Sequence, residues 1–114
     1  MALWFLRGLR RGVVTTRYPA RPDPSASALP TPPSFRPALL TEALADRLVD
    51  LCPSRALART GTTLTYDVGA CTACGRCLAA AGDAALPSGE FELTATARDQ
   101  LVKQIPIGGG PGER

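Results

Sequence analysis

Apolar positions recur at helical spacing in two stretches of the chain. Over residues 39–51, Leu40, Leu44, Leu48 and Leu51 share one face, while Glu42, Asp46, Arg47 and Asp50 lie mostly elsewhere, which predicts an amphipathic helix. It should stop at Cys52, because Pro53 pushes the preceding residue out of the α region. A second stripe runs through residues 2–17: Leu3, Leu6, Val13 and Val14, with Phe5 and Leu9 nearby, are flanked by Arg7, Arg10, Arg11 and Arg17. Gly8 and Gly12 weaken that helix. Short strands are expected at 56–59 and 63–67, with Gly61 in the turn between them. An extended piece at 91–94 leads into a predicted helix at 95–104 that ends before Pro106.

Composition divides the chain around these elements. Seven of the eleven prolines fall at 19, 22, 24, 30, 32, 33 and 37. Proline fixes φ and lacks an amide hydrogen, so this stretch should be extended, a spacer or a strap over another subunit. Glycine dominates the C-terminal end, which reads as flexible. The expected organisation is an amphipathic N-terminal helix (1–18), a proline-rich extended linker (19–37), a folded domain (38–105) and a flexible tail (106–114). A folded segment below about 70–80 residues seldom stands without a staple such as a metal centre.

Charge and hydropathy then narrow the partners. Residues 1–36 hold six Arg and one Asp, a net +5, whereas residues 37–114 hold seven basic and nine acidic groups, a net −2. A nucleic-acid binder would concentrate its cations on the folded part, so nucleic acid is not an expected partner. The apolar run at 1–6 is broken by Arg7, short of the ~20 residues of a membrane span or the ~7–15 of a signal-peptide core. The arm instead suits peripheral contact through residues 2–17 with an anionic membrane or a membrane subunit, Trp4 sitting at headgroup level. A helix packed on a partner protein, or a transit peptide, which is also Arg-rich and acid-poor, shares these traits. Without a signal peptide a reducing compartment is expected, at the cytoplasmic face of the cell membrane.

The candidate chemistry lies in four cysteines. Cys71, Cys74 and Cys77 form C-x2-C-x2-C, and Cys52 stands nineteen positions upstream, followed by Pro53. There is no histidine, which removes the most frequent general base and every zinc site that needs an imidazole. Three thiolates at this spacing can wrap three corners of an iron–sulfur cube, with a remote cysteine on the fourth. A zinc ribbon would pair two separate C-x2-C knuckles, which the sequence lacks. Gly75 suits a loop passing close to a cluster, where a Cβ would crowd the sulfides. Arg76, inside the loop, is a candidate for favouring an added electron, and Asp67 reads as a turn or capping residue. No nucleophile–base pair is recognisable, so catalysis by the chain alone is not expected.

On these residues the chain resembles the two-cluster bacterial ferredoxins, in which C-x2-C-x2-C-x3-C-P occurs twice and the fourth cysteine of each run ligates the other run's cluster. If Cys52 closes a first run, its companions should stand at 42, 45 and 48, where the chain has Glu42, Ala45 and Leu48. The second run lacks its fourth cysteine, with Ala81 and Gly82 in place of Cys-Pro. One crossed ligand set is thus wholly lost and the other, Cys52, Cys71, Cys74 and Cys77, wholly kept. The resemblance implies an α+β fold, a degenerate 2[4Fe–4S] ferredoxin-like core, with one [4Fe–4S] cluster on those four cysteines. It further implies that Leu44 and Leu48, with Ala81, fill the vacated site as an apolar plug.

The N-terminal order narrows the resemblance. A short helix, the segment Gly12–Pro19, a proline-rich strap and Phe35, Arg36 and Pro37 ahead of the core are similar to the ferredoxin-type subunit of complex I and its relatives, formate hydrogenlyase and the membrane-bound [NiFe]-hydrogenases. The short arm leans towards the hydrogenase branch. The implied role is electron transfer between other subunits of such an assembly. Two alternatives stand beside it: a structural subunit whose cluster only staples the fold, and a zinc-stapled protein-binding module.

Overall fold

A computed structural model describes residues 3–12, 17–23 and 28–109. The chain is mixed α and β. Helix α1 spans Leu3–Arg11, strand β1 Pro33–Phe35, helix α2 Glu42–Leu51, strands β2 and β3 Leu57–Thr60 and Thr63–Asp67, helix α3 Arg76–Ala81, strand β4 Ala85–Pro87 and strand β5 Val102–Pro106. Two strand–helix–strand units follow one another, β1–α2–β2 and β3–α3–β4. They exchange strands: β1 pairs antiparallel with β4, and β2 with β3, so each unit's first strand meets the other unit's last. β5 completes a three-stranded sheet on the far edge of β3.

Local chemistry accounts for these elements. Thr41 caps α2, its Oγ1 accepting from the Leu44 N–H at 3.2 Å, and the helix ends at Cys52 before Pro53 as its sequence requires. Its inward face buries Ala45 and Leu48 completely against Leu40 and Leu64. The β2–β3 hairpin has a two-residue loop with Gly61 first at φ 58°, the left-handed backbone that such a turn needs. β3 alternates so that Leu64 and Tyr66 face the core, and Tyr66 packs edge-on against Phe35 with centroids 5.3 Å apart. The core is small: Leu40, Leu48 and Leu64 are its largest fully buried side chains.

One sequence expectation fails in this region. Residues 95–104 are not a helix but a single 3-10 turn, Arg98–Leu101, leading into β5. Ala95, Ala97, Gln100 and Leu101 favour helix locally, yet β3 offers an open edge, and pairing Leu64 with Ile105 and Asp67 with Val102 satisfies backbone groups on both strands. Residues 91–94 form no strand. The tail begins later than composition implies, since the Ile107 N–H donates to Thr62 O at 2.7 Å and the Gly108 N–H to Leu40 O at 3.1 Å. Residues 110–114 of that predicted tail lie outside the described residues.

The proline-rich stretch also enters the fold. β1 lies within it, and buried Thr31 accepts the Gly89 N–H at 3.1 Å through Oγ1. Farther back, the Tyr18 ring packs against Phe91 with centroids 5.5 Å apart, and its hydroxyl donates to Glu92. That hydrogen bond, together with desolvation and the Glu92 charge, raises the Tyr18 pKa. The expected N-terminal helix is observed from Leu3 to Arg11, and the part at 13–16 lies outside the described residues. α1 buries none of its residues; Leu3, Trp4, Phe5, Leu6 and Leu9 are exposed. Among the described residues no helix is long and apolar enough to cross a membrane.

Candidate metal centre

The two units contribute to one cavity. Cys52 is the C-cap of α2 in the first unit, its N–H donating to Val49 O at 3.4 Å. The loop after β3 in the second unit carries Cys71, Cys74 and Gly75 and runs into α3, whose second residue is Cys77. All four cysteines line a single hollow whose cavity volume is about 20 Å³. Its other walls include Leu48, Ala56, Leu57, Tyr66 and Leu78. Cys52, Cys71 and Cys77 are half-buried while Cys74 is exposed, so the hollow opens on the Cys74 side. All four are free thiols.

Backbone geometry turns peptide donors towards the sulfurs. The Ala56 N–H donates to Cys52 Sγ at 3.3 Å and the Ala73 N–H to Cys71 Sγ at 3.4 Å, while Ser54 Oγ lies 3.6 Å from Cys52 Sγ. Two non-glycine residues among those described have positive φ, Arg55 at 55° and Ala73 at 52°. One sits in each loop that presents cysteine. Left-handed backbone costs an ordinary residue about 1–2 kcal/mol, and such strain tends to collect where a loop is shaped for a site. Gly75 at φ 77° continues the winding. No protein atom lies within 4 Å of where its Cβ would stand, so among protein atoms its requirement is conformational.

Electrostatics differ from one sulfur to the next. Burial pushes the Cys52 thiol up, but hydrogen bonds from the Ser54 hydroxyl and from the N–H groups of Ala56, Ser54 and Leu57 outweigh it, and the net shift is down. Cys77 goes the other way, raised first by burial and further by the Cys71 and Cys74 charges, with the Leu78 N–H opposing. Tyr66 is only 2% exposed, and its hydroxyl is buried with no hydrogen-bond partner. Burial pushes its pKa far up, followed by an interaction of the hydroxyl with the Cys71 sulfur that falls short of hydrogen-bond geometry and by the Cys71, Cys77 and Cys52 charges.

Other expected residues find different places. Arg76 begins α3 and lines the hollow, with its residue exposed. Asp67 precedes the 3-10 turn Val68–Ala70 but makes no side-chain cap; its Oδ2 accepts from Arg98 at 2.8 Å. Of the positions where a second ligand set would stand, Glu42 is exposed, Ala45 and Leu48 are fully buried, and Ala81, like Leu44, is partly buried against the core. Leu48 doubles as a wall of the cysteine hollow. Sequence reasoning missed Tyr66, although its alternation with Leu64 places both inward and a buried phenol needs a partner for its polar tip.

The donor set suits a soft metal centre. Thiolates without imidazole select zinc or iron–sulfur chemistry. Among the described residues no group of three or more Cys, Asp or Glu is arranged to hold a single metal ion. Cys52, Cys71, Cys74 and Cys77, which line one hollow with peptide N–H groups directed at two of them, are the residues that could hold a thiolate-bound centre. No protein-family model matches the chain, and no curated protein matches it.

Proposed function

We propose that this chain is an electron-transfer subunit with a degenerate two-cluster ferredoxin-like core, carrying one [4Fe–4S] cluster on Cys52, Cys71, Cys74 and Cys77. The observation that carries this reading is the meeting of Cys52 with the C-x2-C-x2-C loop in one hollow, across nineteen positions of sequence and two structural units. That is the crossed arrangement in which the end of one run serves the other run's cluster. The exchange of strands between the units supports it further. When bound, the cluster would take up and release one electron without bonding to a substrate, because four cysteines leave its irons no open position.

The chain's own groups then have definite tasks. Leu48, Leu57 and Leu78 keep water from the inner side of the hollow, and the exposed edge at Cys74 is the short route for an electron to a partner. The Ala56 and Ala73 N–H groups temper the negative charge on two ligand sulfurs. Helix α1, with its exposed apolar residues beside Arg7, Arg10 and Arg11, gives peripheral contact with an anionic membrane or a membrane subunit at the cytoplasmic face. The assembly is of the membrane-bound hydrogenase or complex I-like kind, as the N-terminal resemblance implies.

A second reading, a structural subunit stapled by its cluster, draws on the small core. The test of the leading reading is anaerobic purification with iron and acid-labile sulfide analysis. About four of each per chain is expected, and zinc without sulfide overturns it in favour of a zinc-stapled module. Cys74→Ser separates the first two readings: loss of turnover in an assembled complex supports conduction, and retained turnover supports a staple.

A further inference from the structure

The phenol of Tyr66 is unexplained by packing alone. Phenylalanine would fill the same inward position of β3 and pack against Phe35 equally well, without a buried hydroxyl. A buried donor with no acceptor forfeits the hydrogen bond it makes to water in the unfolded chain. Tyr66 is also rigidly held: its backbone lies between Leu57 of β2 and Lys103 of β5, and its ring meets Phe35 at 83°. The side chain lines the hollow that all four cysteines share, and Cys71, five positions along the chain, is the first cysteine of the loop that follows β3.

We propose that the Tyr66 hydroxyl donates a hydrogen bond to the Cys71 sulfur of the bound cluster and thereby raises the cluster's reduction potential. This inference rests on the cluster reading above. A thiolate bonded to iron is the acceptor that the hydroxyl otherwise lacks, and Cys71 Sγ then receives two donors, the Ala73 N–H and the Tyr66 O–H. Reduction adds one electron, and therefore one negative charge, to the cluster and its four sulfurs. A hydrogen bond to a ligand sulfur strengthens as that charge grows, so it favours the reduced state. Tyr66 is thus a positioning and tuning residue, outside the ligand set itself.

The experiment is an anaerobic redox titration of the full chain, with dithionite as electron donor and the reduced cluster followed by electron paramagnetic resonance. Tyr66→Phe should retain its iron and sulfide and lower the midpoint, with a roughly tenfold loss in the reduction equilibrium constant, about 59 mV for a one-electron couple. An unchanged or raised midpoint with the cluster intact overturns the inference and leaves the cluster reading standing. A wild-type chain free of iron and sulfide overturns both. Should Tyr66→Phe fail to fold, fluorotyrosine incorporated in a Tyr18→Phe background replaces Tyr66 alone, because the chain has two tyrosines. The fluorinated phenol keeps its shape and is a stronger donor, so the midpoint should rise, and a midpoint that stays put contradicts the proposal.

Discussion

The two strand–helix–strand units share a plan and fill it differently. In β1–α2–β2 the helix starts a turn earlier, and Ala45 and Leu48 close the interior with apolar side chains that are fully buried. In β3–α3–β4 the corresponding stretch stays a wound loop, helix begins only at Arg76, and three thiols face a hollow. Both units feed the core, Ala45, Leu48, Ala56 and Leu57 from the first and Leu64, Tyr66, Val68 and Ala84 from the second. In the second, the loop between strand and helix lines the cysteine hollow and adds no fully buried apolar side chain of its own. Cys52 joins the two, contributed by the filled unit to the hollow one.

Emptying the hollow should therefore have the largest effect. On the proposed reading Cys52→Ser removes the ligand that ties the units together, and iron and sulfide should fall to less than half of wild type, with a lower thermal midpoint under argon. Unchanged iron content would show that the first unit does not serve the centre. Next comes the filled side. Leu48→Ala should cost about 2–5 kcal/mol in denaturant unfolding, as for other fully buried leucines, and a loss under about 1 kcal/mol would mean that the first unit is not the packed one. Thr41→Ala removes the α2 cap and should cost about 1 kcal/mol in the same experiment, with iron content preserved. Smallest of all, Arg76→Ala should lower the cluster's midpoint potential slightly, because its exposed cation is screened by solvent; no change leaves Arg76 a plain surface residue.

How far these units could be foreseen depends on how each is stabilised. Helix α2 announced itself through Leu40, Leu44, Leu48 and Leu51, and the β2–β3 hairpin through two short runs about Gly61, because both are written in local periodicity. Strands β1 and β4, three residues each, exist only by pairing with one another across the chain, and no local pattern carries that information. β5 was mistaken for helix for the same reason, since the free edge of β3 overrides the preference of residues 95–104. At the centre the four cysteines were legible from spacing. The strained Ala73 and Arg55 and the inward Tyr66 hydroxyl were not, because those features arise from how two loops wind about one hollow.

Native mass spectrometry of the full chain, purified and sprayed without oxygen, addresses the central claim most directly. The account predicts a mass gain matching one core of four irons and four sulfides, lost together in Cys71→Ser. A bare chain, a gain matching zinc alone, or a gain matching two such cores would contradict it.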